Sequence, residues 1–388
     1  MAEVNQSPVA TKTNRLLAVD LLRGLTLAFM IMVNDNGDGQ HAYWAMKHAD
    51  WNGFTPTDLV FPTFLFLVGI TTVMSTAARL AKGATKASLF VHALWRAVLL
   101  FLLGLLVNSF PHFNPHTLRF YGVLPRIAVC YLAVATLYLI SADWRSKAVL
   151  AVTALVAYWA LMRFVPVPGF GVPTHDIPLL DRDANLAAWI DSAIFPASHL
   201  YEKTRDPEGL LSTLPALATA LFGMLTGEWL RTTRTVMEKA KGIAIAGAIG
   251  LLLGGVWSLW FPINKKLWTS SYVLYAAGWS LLLLALSMWV VELRERKSDA
   301  KAQPWWYTVL LVFGMNAIAS YVLSELLAGA IGSMHPAPGM NAGMWADQAI
   351  LGVIPDAAFA SLIFSLLYTS TCWVAMWMLY RRRIFLKI

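Results

Sequence analysis

A histidine, an asparagine and two aspartates stand close together near the start of this chain: Asn34, His48, Asp50 and Asp58. His48 lies in the segment KHADWNG, between Trp44 and Trp51 and within reach of both carboxylates. An unperturbed imidazole titrates at about pH 6.5, so such a residue can take a proton or carry an acyl group near neutrality. The competing reading is a purely structural histidine. Asp58 has a competing reading of its own. In Thr55-Pro56-Thr57-Asp58 it is placed to cap a helix whose first residue is Pro56. Asn34 ends the apolar run that precedes this segment. Nearer the N-terminus, Asp20 and Arg23 sit three residues apart, on one face of a helix. Ionisable groups inside an apolar run are costly unless paired or facing a cavity. These two therefore form either a mutual ion pair or the mouth of an anionic cofactor site.

The surrounding sequence is that of a membrane protein. Of 388 residues, 58% are hydrophobic and 13% charged, and the mean hydropathy is +0.58. A soluble domain of this size could not hide so much apolar surface. Apolar runs recur at about 16–34, 58–79, 88–107, 121–140, 147–165, 211–230, 240–261, 270–290, 306–328 and 353–380. Each approaches the roughly 20 residues that cross a bilayer. The pattern predicts an all-α, polytopic transmembrane bundle of about ten spans. A polar tail, 1–15, leads into one transmembrane domain, 16–388. Lys and Arg divide by alternate connections, 19 on the side of both termini and 7 on the other, which assigns the first side to the cytoplasm. The outward loops are then 35–57, 108–120, 166–210, 262–269 and 329–352. These anchors account for the formal charge of +8, so no nucleic-acid partner is needed.

Other signatures fail. Asp181-Arg182-Asp183-Ala184-Asn185 begins like a calcium loop, but Leu186 and Ser192 stand where Gly and Glu are required. His112 and His116 are four apart, yet Pro111 and Pro115 break any helix that would align them on a metal. No metal is expected. Cys130 and Cys372 sit in apolar runs and read as small buried side chains. There is no GxSxG elbow and no phosphate-cradling glycine loop. The glycine-rich stretch Gly247 to Gly255 offers a face through which two copies could pair as a homodimer. The alternative to an enzyme is a transporter for a sugar or cell-envelope fragment, with Asp20, Arg23 and His48 as a coupling relay.

The stretches RLLAVDLLRG (15–24), HADWNGFTPTDLVFPTFLFLVG (48–69), GVLPRIAVCY (122–131), NLAAWID (185–191), DPEGLLSTLPA (206–216), INKKLWTSSYVL (263–274) and GMNAI (314–318) carry a resemblance. Together they are similar to the heparan-alpha-glucosaminide N-acetyltransferase family of transmembrane acyltransferases, in the form of a shorter bacterial-type relative. The resemblance implies transfer of an acetyl group from cytosolic acetyl-CoA to an amino sugar on the far side of the membrane. The location it implies is the bacterial cytoplasmic (inner) membrane, with the active-site loops facing outward. It matches His48 to the family's essential histidine and Asn34 to an active-site asparagine. On that reading Asn34 donates to the developing oxyanion, and His48 is general base or acetyl carrier, oriented by Asp50 or Asp58. Arg23 and Arg126, with Asp20, are expected along the inward-facing cofactor route. Arg126 could equally pair with a backbone carbonyl or with Asp20.

Overall fold

The computed structural model describes residues 16–294 and 304–386. The polar tail 1–15 and the basic residues Arg296, Lys297, Lys301 and Lys387 lie outside the described residues. Among the described residues the chain forms thirteen α-helices. They are α1 (Leu17–Asn34), α2 (Val60–Leu80), α3 (Lys86–Ser109), α4 (Val123–Ile140), α5 (Trp144–Phe164), α6 (Leu186–Ile194) and α7 (Thr213–Leu230). Then follow α8 (Val236–Trp257), α9 (Ser270–Met288), α10 (Trp305–Met315), α11 (Ala317–Ser333), α12 (Ala342–Leu351) and α13 (Ala357–Arg381). Extended pairing among these residues is limited to isolated bridges such as Val167 with Gly171.

Among the described residues eight helices are long and apolar enough to cross a membrane, nine if the bent pair α10–α11 is one span. The apolar 18-residue α7 packs against α2 and α5, which brings the spans to roughly ten. Polar side chains start several of them where the chain turns. Thr85 accepts from the Ser88 amide at the head of α3, Asp143 from Arg145 at α5, and Asp356 from Phe359 at α13. Such caps satisfy amides that the helix leaves orphaned.

Glycines let the central helices touch backbone to backbone. A Cβ added at Gly223 of α7 would lie 1.9 Å from the Phe66 carbonyl oxygen of α2, and one at Gly69 would lie 2.1 Å from that of Ala220. The α8 glycines are used the same way. A Cβ at Gly254 would meet the Tyr275 amide of α9 at 2.6 Å, and one at Gly278 the Leu251 amide at 2.7 Å. The seam expected to pair two copies is therefore filled within one chain. Only Gly255 in that stretch faces open space.

The bend of 77° between α10 and α11 falls at Asn316, which is fully buried. Its side chain donates to the Ile384 carbonyl at 3.1 Å and accepts from the Leu386 amide at 2.9 Å. Arg23 Nε caps the carbonyl of Gly314 beside it at 2.7 Å. Helix direction alternates, so the loops holding Asn36 to Thr55, Pro111 to Gly122, Val165 to Ser212 and Phe261 to Thr269 gather at one end of the bundle. The connections at the other end are short.

Candidate active site

At the loop-rich end the chain leaves α1 and doubles back. The Asn36 amide nitrogen donates to the Val33 carbonyl at 3.0 Å and to that of Met46 at 3.1 Å, closing the loop just before His48. Ten residues on, the 3-10 turn Pro56–Leu59 opens α2. Asp58 there does two things at once. Its Oδ1 lies 2.7 Å from His48 Nδ1, while its Oδ2 accepts from the backbone amides of Ala49 at 3.1 Å and Thr55 at 3.0 Å. A buried carboxylate so occupied stays an acceptor, so Nδ1 carries the imidazole proton and Nε2 keeps its lone pair. The His48 side chain is 42% exposed against 1% for Asp58, which leaves the Nε2 edge open. Partial burial, and then the Lys265 charge, hold the imidazole below the ordinary histidine range, against the pull of Asp58 and Glu208.

The rest of the motif fixes the loop. Asp50 pairs with Arg182 and does not reach His48. Trp51 donates to the Leu180 carbonyl at 2.8 Å, with Arg182 and Arg205 over its ring at 5.3 and 5.1 Å. Asn52 accepts from Asn264 at 3.1 Å. Gly53, at φ +128°, donates to the Ile263 carbonyl at 2.8 Å, a backbone state that suits glycine.

Behind the histidine lies a cluster of charge. Arg119 reaches Asp206 through Nε at 2.7 Å and Nη2 at 2.6 Å, and also pairs with Glu208. Burial alone would raise Glu208, but Arg119, Lys265 and Arg126 bring it below the usual carboxylate range. Asp191, at the end of α6, accepts from the Leu210 and Asp206 amides at 3.0 and 3.3 Å. Its burial pushes it up to about 6 in spite of those bonds. Lys265 lies within electrostatic reach of Glu208 and Asp58, and burial lowers it.

Arg126 belongs to this cluster, not to the far end. It stands one turn into α4, at the helix end that shares the His48 loops, and is 2% exposed. Its Nη2 donates to the Gly209 carbonyl at 3.0 Å and to Ser212, and its guanidinium covers the Trp268 ring at 5.1 Å. Nε and Nη1 are buried with no acceptor among the described residues. Trp268 packs edge-on against Tyr272, whose hydroxyl donates to the Asp58 carbonyl at 2.6 Å. That chain of contacts couples Arg126 to the dyad.

Asn34 is exposed and lies within hydrogen-bonding reach of Glu325, as does Tyr321. Asp35 beside it is pushed up to about 8 by burial and by Glu325. Just inside, a small apolar cavity is lined by Met30, Phe61, Leu124, Ile127, Ile318 and Tyr321. Asp20 and Arg23 form an ion pair at 2.7 Å toward the opposite end. A hollow near that end is lined by Thr308, Trp377, Tyr380, Arg381, Arg383 and Phe385. Among the described residues no three His, Cys, Asp or Glu side chains gather as a metal site requires.

The sequence reading named Asn34, His48, Asp50 and Asp58 but missed Arg119, Asp191, Asp206, Glu208 and Lys265. Their signal was present. Each sits beside long apolar runs, in or next to stretches that carry the resemblance, and charges so placed need partners or a task.

Three comparisons bear on this arrangement. Residues 15–263 match the family described as heparan-alpha-glucosaminide N-acetyltransferase, catalytic. The heparan-alpha-glucosaminide N-acetyltransferase of Mus musculus is 30% identical over 370 residues, covering 82% of this chain and 54% of that protein. That of Homo sapiens is 30% identical over 366 residues, covering 80% and 53%. The chain thus spans about half the length of the curated relatives it matches.

Proposed function

Since this chain belongs to the heparan-alpha-glucosaminide N-acetyltransferase family, we propose that it is a membrane acetyltransferase moving the acetyl group of acetyl-CoA to an amino sugar. The observation that carries the reading is the His48–Asp58 pair: a half-open imidazole whose inner nitrogen is fixed by a carboxylate that two backbone amides lock in place. This is the geometry of an oriented base or nucleophile.

The chemistry follows from Nε2. In direct transfer, the amine nitrogen attacks the thioester carbonyl carbon while Nε2 takes the amine proton. The C–S bond then breaks, and the imidazolium returns that proton to the departing thiolate. In the stepwise route Nε2 forms a bond to the acetyl carbon, the C–S bond breaks and thiolate departs; the amine nitrogen then attacks that carbon, the Nε2–C bond breaks, and the amine proton passes through the freed Nε2 to the thiolate. The locked tautomer serves both. The carbonyl oxygen gains charge in either case, and donors aimed at it are worth about 10²–10³ in rate each. Asn34 is one candidate donor, and Arg126, whose Nε and Nη1 have no acceptor among the described residues, is a second.

The CoA phosphates cannot enter hydrocarbon, so they would stay at the basic, cytosolic end. There Arg381 and Arg383 line the hollow beside Tyr380 and Phe385, while the slender pantetheine arm reaches between helices toward His48. The amino sugar would approach from the loop-rich, outward end, where the His48 side chain is part-exposed.

The test is acetyl transfer by the purified protein from labelled acetyl-CoA to glucosamine, read beside calorimetric CoA binding. His48→Ala should lose turnover and keep CoA binding. Near-normal turnover in that variant would end the assignment. Label retained on protein after rapid quench supports the stepwise route, and its absence supports direct transfer.

A further inference from the structure

Between α1, α2, α4 and α11 the bundle encloses the small apolar hollow noted above, and residue spacing fixes its depth. Met30 lies one turn before Asn34 on α1, and Phe61 lies three residues after Asp58 at the start of α2. Tyr321 lies one turn before Glu325 on α11, and Leu124 and Ile127 stand in the first two turns of α4. α1 and α11 run toward the loop-rich end, while α2 and α4 run away from it. All four helices therefore put the hollow on one level, about 5 Å inside Asn34 and Asp58 at 1.5 Å per residue.

Size and chemistry restrict what the hollow can hold. Its volume is about 10 Å³, close to the least that admits one water-sized group. Water itself is a poor occupant, because it needs two to four polar partners. Among the described residues Tyr321 is the one lining side chain with a polar atom. The walls are also held from behind. Phe61 packs edge-on against the buried Trp268 at 4.9 Å, and Trp268 donates to Thr219 at 3.2 Å. Leu124 is backed by α3 at Gly104, where an added Cβ would stand 3.1 Å from the Leu124 Cβ. Walls so packed do not part for a longer chain without cost. The hollow matches a single methyl group, presented from the level of Asn34 and His48.

Resting on the acetyl-transfer reading, we propose that this hollow receives the methyl of the donor's acetyl group, and that Phe61, Leu124 and Ile127 limit the acyl chain to two carbons. The thioester carbonyl is then left at the level of Asn34 and the His48–Asp58 pair, and the sulfur and its pantetheine arm lead away between the helices. These three side chains do not touch the reacting bond. They decide which acyl-CoA can bring its carbonyl to His48.

The experiment compares kcat/KM for acetyl-, propionyl- and butyryl-CoA, with glucosamine as acceptor and the full chain in detergent. The parent should prefer acetyl over propionyl by about 10–200-fold, the usual worth of one methylene in an apolar pocket. Ile127→Ala and Phe61→Leu should each lower that ratio by about tenfold or more. Leu124→Ala is the further variant should one of them fail to elute as a folded species. A parent that uses butyryl-CoA as well as acetyl-CoA overturns the proposal. So does a preference unchanged in the folded variants with KM raised alike for all three thioesters, which would make the hollow part of the pantetheine route. A parent that transfers no acyl group at all ends the acetyl-transfer reading itself, and this inference with it.

Discussion

One oxygen of the Asp58 carboxylate holds His48 Nδ1 at 2.7 Å while the other holds the backbone amide of Thr55, where α2 begins. The imidazole and the helix start therefore share one group. Asp58→Asn keeps an oxygen for the amide and loses the charge that fixes the imidazole. It should lower kcat by about 10²–10⁴ and stability by only about 1 kcal/mol. Steady-state kinetics beside thermal unfolding checks this, and a kcat within a few-fold of the parent would mean His48 does not depend on Asp58.

Lys265 bears on the pH profile. Its positive charge helps keep His48 below the ordinary histidine range, so the acid limb of kcat/KM should fall below about pH 6.5. Lys265→Met removes the repulsion and makes the imidazolium easier to form, moving that limb to higher pH. Glu208→Gln removes an attraction and should move it to lower pH. Limbs unmoved by both would separate His48 from the activity.

Arg119 neutralises two buried carboxylates, Asp206 and Glu208. Arg119→Met strands them both and should cost about 3–5 kcal/mol of stability, the usual result of removing one partner of a buried pair. Adding Glu208→Gln to that variant should recover part of the loss. Unfolding in detergent with increasing denaturant measures both.

Asp35 supplies a stability signal of opposite pH sense to an ordinary salt bridge. Its folded value, about 8, stands above the ordinary 3.8, so its contribution is fully present below about 3.8 and is lost as pH rises toward about 8. Asp35→Asn stays neutral throughout. The melting temperature of Asp35→Asn should therefore gain on the parent between pH 6 and 9, and a constant gap would contradict the assignment.

The ten apolar runs were legible because hydrocarbon demands an unbroken stretch of apolar side chains, and the helices follow them within a few residues. Their junctions were less so. Nothing near Asn316 announces the bend, because the groups that satisfy it, Ile384 and Leu386, come about seventy positions later. Asp50 and Asp58 both looked able to orient His48. Only the fold decides, since Arg182, far along the chain, takes Asp50. Arg126 was expected along the inward cofactor route or paired with a backbone carbonyl or Asp20, and the carbonyl it meets, that of Gly209, lies too far along the chain for sequence to name. The Gly247–Gly255 stretch announced a close helix contact correctly, but small residues do not say whether the partner helix is in the same chain.

The bond between Asn316 and the chain at Ile384 and Leu386 also has a consequence for biosynthesis. α11 carries Tyr321 and Glu325 beside Asn34, and its start at Asn316 is pinned by Ile384 and Leu386. That wall can therefore take its final seat only after Ile384 and Leu386, about seventy residues behind Asn316, have been made. Until then the His48–Asp58 pair, which precedes α2, stands beside a wall that is not yet anchored.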